Sequence, residues 1–515
     1  MTDADPQRPS RGNRVAGESP PQGRTRHVLR PTEPPSQRIP VVWTGPDGVD
    51  RETALSVIDL AMRAAVALLA TGAAADDVVG TVLRLTHVYG LRSVHVDITF
   101  SSVAVSYHRG PTVEPVTLLR VVKTRSQDFS RLERLRDLVT DLDRHRVPVA
   151  VARLRFDAVI EAPHPYRRWV GTLAVAVLAA AAAAIVGGGP LIMALSALSA
   201  ALVDRVQHRL RQVGVEAFFT QAIGSAIPTL VAIGVSLLQS GTGMLGGVVP
   251  SLVVASGIVV LLSGLSVVGS AQDAIEGFYV TAGARAFEVL VLTLGIVVGI
   301  TVVLSLFTRF GVVMTISPDV VTSTNGVVQV VASVVISASF AIVSYAAGTT
   351  AVAAGVAGGV GWAIYLGMTA LQAGRPTASA IAAFLVGVTA QLMARRLRLA
   401  ALAVMTASIV PLLPGSVVYR GIFQIVSDPS GPGLYEGLAT LLGAAGVGIG
   451  IAAGVSLGTY VARLVQDSRS GRRRRRAPGR RPEPAAYRGR GHWTPLDLRV
   501  EDVDSPCRGS RVARP

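Results

Sequence analysis

Charged residues are scarce in this chain of 515 residues. They make up 16% of the sequence, whereas hydrophobic residues make up 50% and the mean hydropathy is +0.48. Because soluble globular domains carry about a quarter charged residues, a wholly soluble protein is excluded and a membrane protein is predicted. The formal net charge of +16 comes almost entirely from arginine, since Lys123 is the single lysine.

Cysteine is nearly absent as well, and the N terminus lacks an apolar segment. Cys507 is the only cysteine, so no intramolecular disulfide can form, which suits a reducing cytosol. Residues 1–48 are rich in proline, arginine and serine, and they lack the apolar core of a signal peptide. We therefore expect a disordered lead and a cytoplasmic N terminus.

Residues 49–165 predict a small cytoplasmic α+β domain. Two helices with one apolar face precede "RSVHVDITF", in which apolar and polar residues alternate as in a half-buried strand. "SVAVSYH" and "VTLLRVVKT" predict two more strands, and "DFSRLERLRDLVTDLDRH" predicts an amphipathic helix.

Histidines in this domain raise the question of a hydrolase. The candidates are His87, His95 and His108, with Asp97 and Ser101. Neither a G-x-S-x-G nor an H-E-x-x-H pattern accompanies them, and strand alternation alone places His95 and Asp97 on the outer face. We therefore expect no enzyme, and a regulatory or gating domain is the favoured interpretation.

Beyond Arg168 the sequence becomes strongly apolar. Ten segments approach the ~20 residues needed to cross a bilayer. They are 169–187, 189–204, 217–238, 247–266, 286–308, 326–345, 348–367, 377–393, 398–413 and 434–463. Small residues dominate them, as suits helices that pack closely in lipid, and we interpret Gly355, Gly358 and Gly361 as packing surface.

Arginine clusters predict the orientation. If both termini are cytoplasmic, every cluster falls on the inside, as the positive-inside bias requires. The clusters are Arg167 and Arg168; Arg205, Arg209 and Arg211; Arg395, Arg396 and Arg398; and Arg472 through Arg476. Residues 467–515 predict a disordered basic tail, whose "GRRRRRAPGRR" run suits anionic lipid rather than nucleic acid.

The fourth and ninth spans end alike. "LLSGLSVVGSAQDAI" aligns with "LLPGSVVYRGIFQI", which places Gly264 over Gly415 and Asp273 near Gln424. Each segment breaks at glycine and turns polar before a final long helix. The sequence thus predicts a mainly α membrane protein of two five-helix repeats, 166–310 and 311–466. Because five is odd, the repeats insert with opposite orientation, as in many secondary transporters.

The polar residues at the first predicted break indicate a transport function. Broken helices expose backbone groups that are tolerated only beside protein or a water-filled cavity. Carboxylates such as Asp273 and Glu276 cost about 2.5–3.5 kcal/mol at membrane depth, so we expect a cavity that suits a zwitterion. The alternative is a wet loop in which both carboxylates merely pair with Arg285. Gln221, Thr229, Gln329 and Gln391 are weaker lining candidates, each more often an interhelical hydrogen bond.

The sequence resembles the threonine/serine exporter family of ten-span bacterial permeases over about residues 50–465. The resemblance rests on "ALSVIDLAMRAAVALLATGAAADDVVGTVLRLTHVYGL", "SVHVDITF", "DRVQHRLRQVGVEAFF", "SGLSVVGSAQDAIEGFYVTAGAR" and "PLLPGSVVYRGI". The family usually has Pro-Gly at the first break, where this chain has Ser263-Gly264; Pro414-Gly415 keeps the pattern at the second.

The resemblance implies a multi-pass protein of the cytoplasmic membrane that exports threonine and serine, driven by a proton gradient or the membrane potential. No cofactor or metal is expected, and a homo-oligomer is left open. We expect Asp273 to couple a proton or hold the substrate ammonium, and Arg420 to attract the carboxylate or anchor the helix in headgroups. The full candidate set is Gly264, Ser270, Gln272, Asp273, Glu276, Gly283, Arg285, Pro414, Gly415, Tyr419, Arg420 and Gln424.

Two alternatives remain open from the sequence. One is an exporter of another small solute, such as the dicarboxylate succinate, for which Arg285 and Arg420 would matter more than Asp273. The other is a membrane-anchored hydrolase or sensor, whose activity would depend on His95 and Asp97.

Overall fold

The structure of the protein is a computed structural model. It describes residues 49–109, 113–122, 126–145, 147–242, 249–261, 264–310, 325–397, 399–428 and 431–476. The predicted N-terminal lead, 1–48, and the tail beyond 476 therefore lie outside the described residues.

The N-terminal region, residues 49–165, combines four helices with one antiparallel sheet. Its elements are α1 (Arg51–Ala70), α2 (Ala75–Val88), β1 (Val94–Ile98), β2 (Ser102–Tyr107), β3 (Val116–Val121), α3 (Phe129–His145) and α4 (Val149–Glu161). The strands lie in the order β1-β2-β3, with Val96 opposite Val105. The predicted helices and strands of this region are present, and α4 is an element that the sequence did not predict.

Twelve further helices occupy the rest of the described chain. They are α5 (Arg168–Ile185), α6 (Pro190–Val213), α7 (Ala217–Thr242), α8 (Pro250–Leu261), α9 (Gly264–Ile275), α10 (Tyr279–Arg309), α11 (Gly326–Val343), α12 (Gly348–Ala370), α13 (Arg375–Leu397), α14 (Ala401–Ser408), α15 (Gly415–Ser427) and α16 (Pro432–Arg476).

The number of long apolar helices fits a multi-pass membrane protein. Among the described residues nine helices are long and apolar enough to cross a membrane, and a bent pair, Ala401–Leu412 with Gly415–Ile425, raises the number to ten. One of the nine is α1, but α1 packs against β2 and β3. The predicted fourth span, 247–266, corresponds instead to two short helices, α8 and α9.

Several helices extend past their predicted spans. Helix α6 continues to Val213 rather than ending at 204, and α10 begins at Tyr279 rather than at 286. Helix α16 continues to Arg476, past the predicted start of the basic tail at 467. Hydropathy marks only the part of a helix that lies in lipid, so a polar continuation of the same helix escapes it.

The same helix neighbours occur in both halves of the membrane portion. In the first half α5 packs on α6, α6 on α7, α7 on α10 and α9 on α10. In the second half α11 packs on α12, α12 on α13, α13 on α16 and α15 on α16. The halves meet where α5 packs on α11, α9 on α16 and α15 on α8.

Glycines bring the long helices of each half into backbone contact. A Cβ added at Gly295 of α10 would lie 2.7 Å from the carbonyl oxygen of Phe218 on α7. A Cβ added at Gly450 of α16 would lie 2.9 Å from the carbonyl oxygen of Pro376 on α13. One turn further along, Gly299 and Gly454 face the next carbonyls in the same way. Close backbone packing therefore holds α7 to α10 and α13 to α16.

The predicted packing role of three other glycines is confirmed. A Cβ at Gly355 would lie 3.1 Å from the Val334 carbonyl oxygen, and one at Gly361 would lie 2.5 Å from Cγ2 of Val386. Gly358 faces the side chain of Ser337. All three therefore stand against neighbouring helices.

The N-terminal region docks on one end of the helical bundle. The Thr281 hydroxyl, at the start of α10, donates to the Ile98 carbonyl at 3.3 Å, and the Phe129 amide donates to the Ser344 carbonyl at 2.9 Å. Buried residues of α1, such as Ile58, share one apolar core with Ala403 of α14. The starts of α10 and α14 and the end of α11 therefore lie on the same side of the bundle.

We predict that Gly454→Ala destabilises the protein and that Gly446→Ala does not. The added methyl group at 454 would collide with the Ala380 carbonyl on α13, and α16 cannot withdraw without breaking its other glycine contacts. Overpacking of this kind costs ~1–3 kcal/mol. Gly446 lies on the same helix with nothing within 4 Å of its added Cβ, so alanine there should gain ~0.5–1 kcal/mol of helix propensity.

Melting temperatures of the two variants in one detergent would check this prediction. Equal melting temperatures would contradict the proposed backbone contact between α13 and α16.

Candidate functional site

The second polar segment predicted from the sequence is a broken helix, in which Ala401–Leu412 and Gly415–Ile425 are bent by 46°. The first polar segment lies on α8 and α9, which are described over Pro250–Leu261 and Gly264–Ile275. Gly264 starts α9, and Gly415 starts α15 directly after the buried Pro414. Residues 262 and 263, and with them Ser263 of the first predicted break, lie outside the described residues.

Each second helix packs into the opposite half of the protein. Val268 of α9 lies in an apolar cluster with Trp362, Ala382 and Ile451 of the second half. Tyr419 of α15 lies in a cluster whose other members come mainly from α5, α6, α7, α8 and α10 of the first half. The segments after the two breaks therefore lie at the contact between the halves.

Asp273 forms a buried ion pair at the end of α9. Its carboxylate oxygen lies 3.0 Å from a guanidinium nitrogen of Arg285 on α10, with the two side chains 1% and 14% exposed. A buried carboxylate is strongly disfavoured unless it is paired. The alternative pairing with Arg285 is therefore present, but in a buried site rather than in a wet loop.

Gly269 makes room for this pair. A Cβ added there would lie 2.6 Å from Nη1 of Arg285, the nitrogen that contacts Asp273. One turn of α9 thus supplies both the carboxylate and the space for its counter-ion. The Ser270 hydroxyl donates to the Ala282 carbonyl at 2.7 Å and ties the same turn to α10.

Other predicted residues near the first break lie outside the buried pair. Gln272 donates to the Glu276 carboxylate at 2.8 Å, in the turn between α9 and α10, and the Glu276 side chain is exposed. Gly283 is exposed, and a Cβ added there would meet nothing within 4 Å. The structure therefore brings together Asp273, Arg285 and Ser270 but separates Glu276 and Gly283 from them.

Glu276 nevertheless has a perturbed environment. Although part of its side chain reaches solvent, burial of the carboxyl group raises the pKa of Glu276 to about 7. The hydrogen bond from Gln272 opposes this shift, while the charges of Asp76, Asp273 and Asp77 add to it. Asp76 and Asp77 belong to the first turn of α2, so this turn of the membrane portion faces an acidic part of the N-terminal region.

At the second break an amide takes the place of the Asp273 carboxylate. The Thr440 hydroxyl on α16 donates to Oε1 of Gln424 at 2.8 Å, and Nε2 of Gln424 donates to the exposed carboxylate of Glu436 at 3.5 Å. The sequence alignment sets Gln424 opposite Asp273, and each contacts the helix that follows its segment. The second half thus has no buried ion pair at this place among the described residues.

Tyr419 and Arg420 stand one turn after the second break. Tyr419 is 1% exposed. Within the part of the chain that the structure describes, neither its hydroxyl nor Nε of Arg420 has a hydrogen-bond partner. Two adjacent residues of α15 therefore present buried polar atoms available to a small ligand or to water.

Two of the four weaker lining candidates make interhelical hydrogen bonds. Gln221 donates to the Leu261 carbonyl at 2.9 Å, and Gln329 accepts from Nε1 of Trp362 at 3.1 Å, as the alternative interpretation held. Thr229 donates within its own helix, to the Ser225 carbonyl. Gln391 is half-buried on α13.

The hydrolase candidates do not form a catalytic arrangement. His95 and Asp97 point outward from β1, and His87 and Ser101 are exposed. His95 and His108 meet edge to face with their ring centres 5.3 Å apart. Among the described residues there is no group of three or more histidine, cysteine, aspartate or glutamate side chains that could hold a metal ion.

We predict that Glu276→Gln removes part of the pH dependence of stability. Since the folded state holds a proton on Glu276 up to about pH 7, whereas the unfolded chain releases it near its ordinary pKa, the native protein should lose stability as the pH rises between these two values. The glutamine variant cannot titrate, so it should melt above the natural protein at pH ~8 and close to it at pH ~5. Melting curves across this range provide the measurement; parallel curves would contradict the raised pKa.

Comparisons with known proteins identify the family of the chain. A family model described as "Putative threonine/serine exporter" matches residues 59–307, and one described as "Threonine/Serine exporter, ThrE" matches residues 329–461. No solved structure matches the chain.

Two relatives align over most of their length. A "Probable threonine/serine exporter" of Mycobacterium tuberculosis is 36% identical over 422 residues, which cover 81% of this chain and 78% of the relative. A "Threonine/serine exporter" of Corynebacterium glutamicum is 33% identical over 438 residues, covering 84% and 87%. These matches show that the chain belongs to the threonine/serine exporter family.

Proposed function

We propose that the protein exports threonine, serine and similar small polar amino acids across the cytoplasmic membrane by ion-gradient-driven alternating access. Its membership of the exporter family and the names of its two relatives support the substrate class. The single observation that carries a mechanism is the buried ion pair of Asp273 and Arg285, which joins α9 to α10 within the first half of the protein.

Two oppositely inserted repeats form the transport unit in this proposal. The matching helix neighbours and the matching glycine contacts of the two halves support it. Helix α5 begins beside the end of α11, where the His164 ring stacks on Tyr345 with centres 4.3 Å apart. Their opposite directions agree with inversion of the two repeats.

The N-terminal region faces the cytoplasm in this arrangement. Its side of the bundle carries the arginine-rich ends of α6 and α13, as the positive-inside bias favours. Both chain termini are then cytoplasmic, and the first break opens toward the cytoplasmic half of the membrane while the second opens toward the outer half.

Asp273 exchanges partners during transport in this mechanism. With Arg285 as its counter-ion, the carboxylate is satisfied in the closed state, and a proton or the substrate ammonium replaces Arg285 when the site opens. Tyr419 and Arg420, whose hydroxyl and Nε lack partners among the described residues, receive the substrate on the outer side.

The same cationic groups favour a second candidate, the export of a dicarboxylate such as succinate. An anionic substrate would be attracted to Arg420, and it would need Arg285 more than Asp273. The relative effects of substitutions at Asp273 and Arg285 separate this candidate from amino-acid export.

We predict that Asp273→Asn lowers threonine and serine efflux by at least about tenfold, because removing one member of a buried ion pair costs more than the ~1.4 kcal/mol that tenfold requires. Cells loaded with a threonine dipeptide provide the assay, and immunoblotting of membranes confirms insertion. Glu276→Gln makes a comparable acid-to-amide change three residues away, on an exposed side chain, and should retain efflux.

Normal efflux by Asp273→Asn would remove this residue from the mechanism. Unchanged threonine and serine efflux after deletion of the whole protein would overturn the substrate class, and loss of succinate efflux instead would favour the second candidate.

The N-terminal region gates the cytoplasmic side in our proposal. It contacts the first half at Thr281 and the second half at Ser344, and in this proposal the contact at Ser344 is the one that opens when the halves separate on this side. Gln127 lies against Ser344 with Oε1 and Oγ 3.4 Å apart, which provides a site for cross-linking.

We predict that cross-linking Gln127→Cys to Ser344→Cys, in a Cys507→Ser background and with a short reducible reagent, stops efflux until the link is reduced. The matched control joins Ser106→Cys to Thr117→Cys, whose hydroxyls are 2.8 Å apart within the sheet. It bridges no moving parts and should leave efflux unchanged. Full efflux by the first linked variant would contradict gating by this region.

A further inference from the structure

Helices α5 and α11 end with the same backbone shape but with different residues. Each helix has 18 residues, and the second residue after it has a positive φ: Gly187 after α5, with φ 76°, and Tyr345 after α11, with φ 58°. In both places the next amide donates to a carbonyl in the last turn of the helix, at 2.8 and 2.9 Å. The first half therefore ends this helix with glycine, and the second half ends it with tyrosine.

Tyrosine is an unfavourable residue at this position. A positive φ brings Cβ close to the backbone, so helix endings of this kind commonly carry glycine. Within the described chain Tyr345 and Gln372 are the two non-glycine residues with positive φ. Because strained backbone persists where surrounding contacts hold it, the strain at Tyr345 points to a contact of its ring.

The partner of this ring is His164. The two rings stack with their centres 4.3 Å apart and their planes 20° apart. His164 lies in the connection between α4 and α5, where Pro163 and Pro165 restrict the backbone on both sides. Its Nδ1 lies 3.2 Å from the carboxylate of Asp128, the residue before α3. The histidine ring is therefore held in place against Tyr345.

Asp128 is fixed in turn by the start of α3. Its side chain is 3% exposed, and its Oδ1 accepts a hydrogen bond from the Arg131 amide at 3.0 Å. The next residue, Phe129, donates its amide to the Ser344 carbonyl at 2.9 Å. The ring stack and this backbone hydrogen bond therefore lie side by side, where the N-terminal region meets the end of α11.

This location gives the stack a role in the transport cycle. In the proposed mechanism the contact at Ser344 opens when the halves separate on the cytoplasmic side, and Tyr345 is the next residue. The stack must therefore open with it. A contact present only in the closed arrangement favours that arrangement, so its removal shifts the population toward the open one.

We propose that Tyr345 and His164 are positioning residues for transport: their stack holds the N-terminal region on the end of α11 and favours the closed cytoplasmic side, without touching the substrate. This inference rests on the proposed function.

Tyr345→Gly separates this role from general stability. Glycine removes the ring but suits the positive φ, so the melting temperature should stay close to that of the natural protein. The maximal rate of threonine and serine efflux should fall roughly threefold, because the cytoplasmic side closes less often. The half-saturating cytoplasmic concentration should fall as well, because the open form binds cytoplasmic substrate. A mere loss of folded protein would lower the rate alone.

Three further variants serve as controls. Tyr345→Phe keeps the ring and should keep natural efflux. Gln372→Gly makes the same backbone change after α12, on an exposed side chain, and should also keep natural efflux. His164→Leu/Tyr345→Gly should be no slower than His164→Leu alone, since the two rings act as one unit.

Three outcomes would overturn the inference: natural efflux kinetics in Tyr345→Gly, a lower rate with an unchanged half-saturating concentration, or an equal loss of efflux in Gln372→Gly.

A second measurement does not depend on the substrate. Ala403 of α14 is 1% exposed, in the apolar core that the N-terminal region shares with the bundle. An Ala403→Cys reporter in the Cys507→Ser background reacts with a maleimide when this contact opens. Tyr345→Gly should raise the labelling rate roughly threefold, and Gln372→Gly should not. An unchanged rate in Tyr345→Gly would contradict the inference whatever the cargo is. A raised rate, in a protein whose natural form exports neither threonine nor serine, would overturn the proposed function alone.

Discussion

A helix that breaks inside a membrane leaves backbone donors and acceptors that lipid cannot satisfy, and this constraint governs the arrangement of the whole protein. The bend between Ala401–Leu412 and Gly415–Ile425 is enclosed by helices, and Tyr419 and Ile422 of α15 pack among helices of the first half. Pro414 has no amide hydrogen, and the Gly415 amide donates to the Leu413 carbonyl at 2.8 Å, which satisfies part of the backbone at this bend. Sequence, packing and the candidate site are linked through this single requirement.

Enclosure in turn depends on close helix packing. In lipid the hydrophobic effect does not drive helices together, because the lipid tails are as apolar as the side chains. Helix association therefore relies on short-range dispersion contacts. Gly299 and Gly454 place whole backbones against each other in the two halves. Larger residues at these positions would move α10 and α16 outward and open the region around Asp273 and Gln424.

The sequence predicted much of this fold because its strongest signals are local. Apolar runs located the spans, and glycine followed by polar residues located both breaks; Asp273 and Arg285 were marked because charge is rare in such surroundings. Helix length was less predictable, since the polar turns of α6 and α16 lie outside the apolar runs. The hydrogen bonds from Gln207 to Gln221 and to the Thr220 carbonyl were not predicted. A polar residue near an arginine cluster looks like part of an exposed helix end. A glutamine on each of two neighbouring helices, followed by glycine at 224, was the available signal.

Long-range contacts between regions were also beyond sequence analysis. The buried residues of the N-terminal region share a cluster with Ala351 and Ala403 of the membrane portion. An alanine in the sequence does not indicate which residue it will contact. The contact between the N-terminal region and the membrane portion is therefore visible only in the structure, where α11, α12 and α14 lie beside α1.

The two halves share their architecture but differ in charge, and this difference bears on the proposed mechanism. Asp273 and Arg285 form a buried ion pair, while at the place that matches Asp273 the neutral Gln424 contacts Thr440 and the exposed Glu436. If both places held buried ion pairs, opening either side would require the separation of buried charges. In the proposed mechanism only the pair at Asp273 responds directly to a proton or to the membrane potential. Repeats of similar build would then produce a directional cycle, because the coupling group belongs to one half and the packing belongs to both.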